Sequence, residues 1–418
     1  MKKRIAIIGG GIAGLTAAYL LDKKHDITLF EKDDRVGGNA YTHKTSTGET
    51  FDIAVGSVLN RVAGNFLKLC DELDVKLVRQ PKASLISIHD LESDDGLYLT
   101  PLSIKGLFAQ KFALFKYTKS FIKTAYANYK AVRLLEKGRL KDLTVEDMFS
   151  LLPELTRFEK LAMMAPFCLL SSMQYKEVSK GPSEYFAGKM KAHGKFNPVI
   201  TMLGNYFPKH FTQSYVDALI YDCREKVVLN SNIKAVKRNE AAVFLQMKDG
   251  KEYAFDKVVF ACNADQALSL LDNPTEDEKR LLGAWIYKDV PMVVHRDQSN
   301  SPGRELCQPW TLIQSSDNGV PHFSIHYCSW LLSPAALRKC DYFSTQHPSF
   351  PIREDLIDIR KIFRVPFYDF KSFGTIQDLP SLNGNMHSYY CGSHFGYGLH
   401  GDAVNSAIEV ARHLGIDW

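Results

Sequence analysis

The chain has 418 residues, 45% of them hydrophobic and 24% charged, which predicts a globular protein with room for two domains. This composition excludes a disordered chain, and the formal net charge of +5 is too small to indicate nucleic-acid binding by itself. The eight cysteines form no CxxC pairs and the histidines lack metal-ligand spacing, so we expect a cytoplasmic protein without a metal site.

The N-terminal segment predicts a nucleotide-binding unit. An apolar strand (residues 5–8) is followed by a glycine turn, a helix and a second strand (27–30). A dinucleotide diphosphate needs backbone NH groups at close range and a helix N-terminus directed at its charge. Gly9 and Gly11 permit that approach, and Gly14 permits the helix to lie close to the strand. We expect these glycines, together with Ala13, to bind the cofactor.

The residues after the second strand favour FAD as the cofactor. Glu31 ends that strand about twenty residues after the glycine turn, where its carboxylate can accept both ribose hydroxyls and would repel a 2′-phosphate. NADP is therefore not expected. In the continuation from Lys32, Arg35 can neutralise the diphosphate, and Gly37 and Gly38 let the chain pass beside the ribityl and phosphate portion of a flavin.

This run resembles the extended fingerprint of the glutathione-reductase-type FAD fold, specifically its amine oxidase and phytoene desaturase branch. The resemblance implies an α/β protein with a Rossmann-like FAD-binding domain and an interleaved α+β substrate domain. The FAD-binding domain would be discontinuous, comprising residues 1–75, 215–290 and 380–418, with the substrate domain at 76–214 and 291–379. Non-covalent FAD is expected, because Cys391 does not lie in the sequence context used for flavinylation.

The middle of the chain carries weaker signals. Residues 52–57 resemble a loop that passes near the isoalloxazine ring in amine-oxidase-like proteins, which assigns Val55, Gly56 and Ser57 to the cofactor. Alternating apolar residues predict substrate-domain strands over 76–98, and the segment 103–150 looks helical. A further substrate-domain strand is predicted at 321–327.

Residues 226–236 predict the first strand of a β-hairpin that pairs with 243–247 across a turn at 249–250, and 256–262 predict a buried strand. In the family this order places the residue matching Ile233 against adenine. It also ends a strand at Ala261 beside the cofactor, and Asn263 is expected to contact the cofactor there. Taken alone, these residues are also compatible with an unrelated three-stranded meander.

The C-terminal residues predict a second glycine-rich helix start. Residues 388–392 read as a strand entering a glycine turn, and Asp402 is expected to open a helix that runs to Leu414. The N-terminus of that helix can stabilise negative charge at the N1/C2=O edge of a reduced flavin. Cofactor contacts are expected at Gly392, Ser393, Gly401, Asp402 and Ala403.

This C-terminal run resembles the amine oxidase pattern but departs from it. Ser393 stands where the family has an acid, and Gly401 and Ala403 also differ from the expected residues. Together with residues 261–268 the run is similar to predicted NAD/FAD-binding oxidoreductases linked with fatty-acid-modifying enzymes. The resemblance implies hydride removal from, or double-bond movement in, a hydrophobic substrate such as an acyl chain or isoprenoid. The alternatives are an amine oxidase and a non-catalytic protein that binds a lipid or a prenylated partner.

Two residues are candidates for catalysis. His400 lies immediately before the predicted helix and could polarise a substrate or deliver a proton. A hydrogen bond from His400 to the backbone of a tight loop is the alternative. Tyr397 is open to the same two interpretations.

A basic aromatic segment spans residues 103–141. Between Pro101 and Lys141 there are ten lysines and arginines and one acid, Glu136. Aromatic and aliphatic residues follow helical spacing as one apolar stripe: Phe108, Phe112, Phe115, Ile122, Tyr126 and Tyr129. We favour packing of this stripe on the substrate domain, with solvated lysines around it. Peripheral contact with an anionic membrane is the alternative, and nucleic-acid binding is not expected.

Overall fold

The computed structural model describes residues 2–54, 58–59, 64–79, 86–92, 97–98, 113–192, 205–304, 306–332 and 341–418. The predicted cofactor residues Val55, Gly56 and Ser57 lie outside the described residues, as do Phe108 and Phe112 of the apolar stripe.

The strands of the described part are numbered along the chain: β1 (Arg4–Ile8), β2 (Asp26–Phe30), β3 (Thr42–Lys44), β4 (Thr50–Asp52), β5 (Val58–Leu59), β6 (Leu77–Arg79), β7 (Ile86–Asp90), β8 (Leu97–Tyr98), β9 (Asn205–Pro208), β10 (Val227–Val228), β11 (Ile233–Arg238), β12 (Val243–Met247), β13 (Glu252–Phe255), β14 (Lys257–Phe260), β15 (Ile286–His295), β16 (Trp310–Asp317), β17 (Val320–Cys328), β18 (Phe343–Gln346), β19 (Ile357–Phe367) and β20 (Ser388–Tyr390).

The α-helices of the same residues are α1 (Ile12–Leu21), α2 (Gly64–Glu72), α3 (Ala113–Glu136), α4 (Val145–Ser150), α5 (Arg157–Ser171), α6 (Tyr175–Ser179), α7 (Ser183–Ala192), α8 (Gln213–Leu219), α9 (Ala264–Leu270), α10 (Glu276–Leu282), α11 (Ser329–Leu332), α12 (Phe370–Phe373) and α13 (His400–His413).

A parallel sheet brings the two ends of the chain together. Within the described residues it has five strands in the order β10–β2–β1–β14–β20, and each neighbouring pair is parallel. The carboxyl ends of β1, β14 and β20 therefore lie side by side. Its strands come from all three segments predicted for the FAD-binding domain, although the domain boundaries themselves stay a prediction.

Both faces of this sheet are covered, which explains why its strands are continuously apolar. Ala6 and Ile8 of β1 face a core that includes β11, β12 and β13, whereas Ile5 and Ile7 face a second core formed with α1 and α13. Helix α1 is buried on nearly all sides, because it packs against α13 as well as against the sheet.

The predicted hairpin needs a correction. Val227–Val228 pairs with β2 in the parallel sheet and does not belong to the hairpin. The antiparallel partners are β11 and β12, joined through residues 239–242, and the predicted turn at 249–250 joins β12 to β13 instead. The hydrophobic pattern predicted these strands but could not distinguish a short parallel edge strand from the first hairpin strand.

A larger mixed sheet forms a second layer. In the described part its order is β19–β15–β18–β17–β16–β7–β8, with antiparallel neighbours except for the parallel pair β7 and β16. Helices α5 and α6 pack on β17. The predicted strands at 76–98 divide between two sheets, because Leu77–Arg79 pairs with β9 whereas Ile86–Asp90 joins the larger sheet.

Helix α3 contradicts the favoured interpretation of the apolar stripe. It packs against α5 and α7 through its opposite face, where Ala127 and Ala131 are buried. Ile122, Tyr126 and Tyr129 are exposed. Small alanines permit close helix packing, and this leaves the larger side chains outside. In the described part of the chain, no helix is long and apolar enough to cross a bilayer.

A buried ion pair joins the parallel sheet to the β11–β13 meander. Arg238 on β11 donates to both carboxylate oxygens of Glu278 on α10, at 2.5 and 2.9 Å, and to the hydroxyl of Ser388 on β20 at 3.0 Å. Both charged side chains are almost completely buried. Glu278→Ala should lower the free energy of unfolding by about 3 to 5 kcal/mol, because it leaves the guanidinium buried and unpaired.

Urea unfolding at neutral pH measures this loss. Glu276→Ala is the matched control, since Glu276 lies on the same helix but pairs with Lys279 in solvent. We expect the control to change the unfolding free energy by less than about 1 kcal/mol. Equal losses for the two variants would contradict the assignment.

Candidate functional site

The turn between β1 and α1 depends on two glycines for its shape. Gly9 has φ +108°, and a Cβ atom there would lie 2.8 Å from the carbonyl oxygen of Ala261. A Cβ atom at Gly14 would overlap the carbonyl oxygen of Gly9. The turn, the helix and the end of β14 therefore approach so closely that no side chain fits between them.

Gly11 is different, because the space beside it is open. A Cβ atom there would meet no described atom within 4 Å, and its φ of −73° suits any residue. Gly11 caps α1 without a side-chain hydrogen bond, and Ala13 lies in the first turn of the helix. An open space at an uncapped helix N-terminus is the arrangement that a diphosphate needs.

The second glycine pair runs along this turn. The Gly37 NH donates to the carbonyl oxygen of Gly10 at 2.7 Å, and Gly37 forms a parallel bridge with Gly11. A Cβ atom at Gly38 would lie 3.2 Å from the Gly11 Cα. The structure therefore brings the glycines of both predicted cofactor segments together.

Arg35 contacts the backbone of the second glycine segment. Its guanidinium donates to the carbonyl oxygens of Val36, Gly38 and Ala40, and it stacks 4.0 Å from the ring centre of Tyr41. Burial lowers the pKa of Arg35. The side chain thus holds the glycine loop in shape, and a direct contact with the diphosphate stays a prediction.

Glu31 links the end of β2 to the glycine turn. One carboxylate oxygen accepts from the Gly10 NH at 2.6 Å, and the other accepts from the Asp33 NH at 3.0 Å. Each oxygen retains a lone pair for a ribose hydroxyl. Lys32, the next residue, is exposed on the turn.

The predicted residues of the middle segments lie at the same edge of the sheet. The Ser231 NH donates to the Glu31 carbonyl oxygen at 2.8 Å, which places Ile233, the first residue of β11, close to Glu31 in the fold. Ala261 lies against Gly9, and Asn263 is the N-cap residue of α9. Contacts of these side chains with the cofactor stay predictions.

The C-terminal glycine loop, residues 391–402, closes the site from the other end of the chain. A Cβ atom at Gly392 would lie 2.7 Å from the imidazole of His394, and the Gly392 NH donates to the hydroxyl of Ser406 on α13 at 2.9 Å. Ser393 is half-buried at the start of a 3₁₀ turn. Gly401 and Ala403 are buried in the first turn of α13.

Helix α13 begins at His400, two residues before the predicted start. Asp402 lies inside the first turn, where its carboxylate accepts from the Leu399 NH at 2.9 Å. A Cβ atom at Gly396 would lie 2.5 Å from that carboxyl group, so the loop folds tightly over it. Burial raises the pKa of Asp402. The helix N-terminus therefore already has a carboxyl group of its own chain beside it.

The two catalytic candidates lie in different side-chain clusters. The His400 Nε2 forms a 2.7 Å hydrogen bond with the Tyr215 hydroxyl, and its ring packs edge-on against Phe66. Burial lowers the pKa of His400 to about 4, so the imidazole is neutral at pH 7. The hydrogen bond goes to a side chain and not to the loop backbone. A catalytic role for His400 stays a prediction.

Tyr397 instead packs against α7. The Tyr397 carbonyl oxygen accepts from the Tyr185 hydroxyl at 3.1 Å. A Cβ atom at Gly188 would lie 2.6 Å from the Tyr397 hydroxyl oxygen. Gly188 was not among the predicted site residues. A glycine inside a helix costs about 1 kcal/mol relative to alanine, and this was the available signal for a close contact.

Aromatic side chains cover the C-terminal glycine loop. Tyr185 and Tyr368 stack with ring centres 4.0 Å apart and planes 10° apart, and the Tyr368 hydroxyl donates to the Gly396 carbonyl oxygen at 2.9 Å. Trp285 packs edge-on against Tyr368. We call the following residues the aromatic cluster: Tyr185, Trp285, Tyr368, Phe373 and Tyr397.

Lys189 is buried in this cluster. It lies one helical turn after Tyr185, and its Nζ donates to the Tyr185 hydroxyl at 2.9 Å. Burial lowers the pKa of Lys189 from 10.5 to about 7, although the carboxyl group of Asp402 acts in the opposite direction. The sequence did not predict this burial. Lys191, two residues later on α7, is exposed, and nothing in the sequence distinguishes the two lysines.

Comparison with known proteins identifies the family. Residues 12–287, more than half of the chain, match the family of flavin-containing amine oxidoreductases. The chain belongs to this family. FAD is therefore its cofactor, and the predicted superfamily, fold class and cofactor are confirmed. Non-covalent binding is typical of this family.

Individual relatives match over shorter stretches. The flavin-dependent L-tryptophan oxidase RebO of Lentzea aerocolonigenes is 34% identical over 100 residues, which cover 23% of this chain and 20% of the relative. The match thus spans a fifth of the relative's length. Two solved structures share the fold over 99% of both chains. They are a CLA-producing fatty acid isomerase from P. acnes, with TM-score 0.66 and 15% identity, and putrescine oxidase bound to putrescine, with TM-score 0.70 and 12% identity.

The residues of the site fit FAD. Backbone NH groups at the start of α1 face the open space beside Gly11, and the Glu31 carboxylate lies next to the same turn. The C-terminal glycine loop follows β20 at the same edge of the parallel sheet. The start of α1 would hold the diphosphate, Glu31 would hold the ribose, and the C-terminal glycine loop would lie beside the flavin ring.

Gly11→Ala tests whether the open space holds the diphosphate. We expect the FAD dissociation constant to rise at least about tenfold, because a methyl group would occupy the cofactor's space. The unfolding free energy of the FAD-free protein should change by less than about 1 kcal/mol, since φ is compatible and no atom is displaced. Fluorescence titration of FAD into the FAD-free protein measures the affinity.

Gly64→Ala is the matched control for this experiment. Gly64 begins α2, and a Cβ atom there also meets no described atom within 4 Å. The control should bind FAD like the unchanged protein. If Gly11→Ala binds FAD equally well, the diphosphate lies elsewhere.

Lys189→Met tests the burial of the lysine through the pH dependence of stability. Between about pH 7 and the ordinary lysine pKa, the unfolded chain holds a proton on Lys189 that the folded chain lacks. Lowering the pH through this range therefore destabilises the protein but not the variant. As the pH falls from about 10 to about 7, the unfolding free energy of the variant should rise by roughly 3 to 5 kcal/mol relative to that of the unchanged protein.

Chemical unfolding at several pH values measures that difference. Lys191→Met, on the same helix but half-exposed, should show no comparable pH-dependent gain. A difference between Lys189→Met and the unchanged protein that stays constant with pH would show that Lys189 keeps its ordinary pKa.

Proposed function

We propose that the chain is an FAD-dependent oxidoreductase acting on a hydrophobic substrate, either an acyl chain or an isoprenoid. The reaction would be dehydrogenation, desaturation or double-bond isomerisation. FAD supplies hydride acceptance and return at its N5 atom. The observation that carries the substrate class is the aromatic cluster, which covers the C-terminal glycine loop and has Lys189 as its buried ionisable neighbour.

The aromatic cluster suits an apolar substrate for two reasons. Its buried rings place apolar surface beside the glycine loop, which suits a reacting C–H bond. Tyr185 and Tyr368 are in direct stacking contact, so they leave no gap between them in which an ammonium group could be sandwiched.

Lys189 reinforces this choice. In its protonated form it repels an ammonium substrate and can pair with a carboxylate, whereas in its neutral form it can accept a proton. The predicted domain division places Lys189 and Tyr185 in the substrate domain and the glycine loop in the FAD-binding domain. The proposed substrate site would lie between the two domains.

An amine substrate is the second candidate. It is supported by the family match and by relatives named as amino acid and amine oxidases. Asp402 is the buried carboxyl group next to the glycine loop that could pair with an ammonium group. The fold does not choose between the candidates, because its neighbours include both a fatty acid isomerase and putrescine oxidase.

Anaerobic photometry of the FAD-bound protein separates the candidates. Linoleic acid, an unsaturated isoprenoid, putrescine and L-tryptophan are added separately, and the absorbance of oxidised flavin is followed. We expect the fatty acid or the isoprenoid to bleach the flavin band, or to be recovered with a moved double bond, while the amines leave the band unchanged.

Product analysis by gas chromatography completes this test, because an isomerisation returns the hydride and leaves no lasting bleaching. Bleaching by an amine alone would replace the first candidate with the second. A protein that does not bind FAD would contradict both.

A further inference from the structure

Helix α3 presents an apolar face that the described part of the chain leaves uncovered. Ile122 is 67% exposed, Tyr126 is 56% exposed and Tyr129 is 57% exposed. Their spacing of four and three residues places them on one side of the helix. We call these three residues the α3 apolar face.

The exposure of this face is fixed by the packing of the rest of the helix. On the opposite side Ala127 and Ala131 are buried, and α3 contacts α5 and α7. An ion pair of 3.3 Å between Lys123 and the buried Glu159 sets the rotation of α3 against α5. Rotating the helix to bury the tyrosines would break this pair and expose the alanines.

Basic residues surround the α3 apolar face. Residues 113–141 contain eight lysines and arginines and one acid, Glu136. Several of these basic residues are exposed in the structure: Lys119, Arg133, Lys137, Arg139 and Lys141. Glu136 is engaged by Arg133 and Lys191, so the segment carries basic side chains without a free acid of its own.

We propose that α3 docks on the surface of an anionic lipid bilayer, with its axis in the plane of the membrane. Tyrosine rings with a polar tip and an apolar body suit the headgroup boundary, and the lysines and arginines would meet lipid phosphates. This inference goes beyond the proposed function, since it concerns a surface rather than a reaction.

Other occupants fit the surface less well. A second copy of the chain would bring an equally positive rim against this one, and like charges oppose such an interface. The phosphates of a nucleic acid would pair with the lysines and arginines but leave Ile122 without an apolar partner. Of these three occupants, an anionic bilayer alone offers negative charge at its surface and apolar material directly beneath it.

Vesicle sedimentation of the full chain with bound FAD tests the proposal. We expect binding to vesicles of phosphatidylcholine mixed with phosphatidylglycerol and little binding to phosphatidylcholine alone, with the binding reduced by added salt. Ile122→Gln/Tyr126→Gln should weaken binding at least about tenfold, because the apolar contact is lost while every charge remains.

A matched variant distinguishes this face from general surface hydrophobicity. Ile362→Gln/Tyr221→Gln removes the same two residue types from other places, where Ile362 is 67% exposed and Tyr221 is 78% exposed. This control should bind vesicles like the unchanged protein. Both variants should keep their FAD and their thermal stability, since only exposed side chains change.

Three results would overturn the proposal. They are failure of the unchanged protein to bind the mixed vesicles, an equal loss of binding in both double variants, and a dimer that does not bind vesicles and dissociates only in Ile122→Gln/Tyr126→Gln. None of these results bears on the flavin chemistry, which is read separately by photometry.

Discussion

The close approach of backbone at the carboxyl edge of the parallel sheet is the constraint on which the rest of the molecule depends. The carbonyl group of Ala261 occupies the space that a side chain at position 9 would need. The carbonyl oxygen of Gly9 occupies the space that a side chain at position 14 would need. Because β1, β14 and β20 are adjacent and parallel, this edge also receives the C-terminal loop. Both cofactor segments meet only because residues nearly 400 positions apart share this edge.

Local patterns predicted this part of the fold well. A strand, a glycine turn and a helix are specified by neighbouring residues, so the pattern around Gly9 and Gly14 identified the unit, and the run after Glu31 distinguished FAD from NAD. Short edge strands were less predictable. Val227 and Val228 pair with β2 through only two residues, and nothing in their sequence separates this pairing from a hairpin.

Side-chain neighbours from distant segments were the least predictable part. His400 was a catalytic candidate because of its place before a helix, but its partner is Tyr215, 185 residues earlier. Conversely, Lys189 resembles any helical lysine until the fold surrounds it with Tyr185, Tyr368 and the loop that contains Asp402. The titration of such groups depends on burial, which a pattern along the chain does not encode. The exposure of Ile122 and Tyr126 follows likewise from which face of α3 meets α5 and α7.

Helix α7 connects the two proposals physically. It carries Tyr185, Gly188 and Lys189 towards the C-terminal glycine loop, and it packs against α3. Under the two proposals, a substrate dissolved in lipid would reach the protein beside α3, and α7 would lie between the docked bilayer and the C-terminal glycine loop. This arrangement favours a substrate that enters from the bilayer, since such a molecule never needs to cross water. An amine dissolved in water gains nothing from such docking, so membrane binding by α3 and a hydrophobic substrate would suit each other, while each proposal keeps its own experiment.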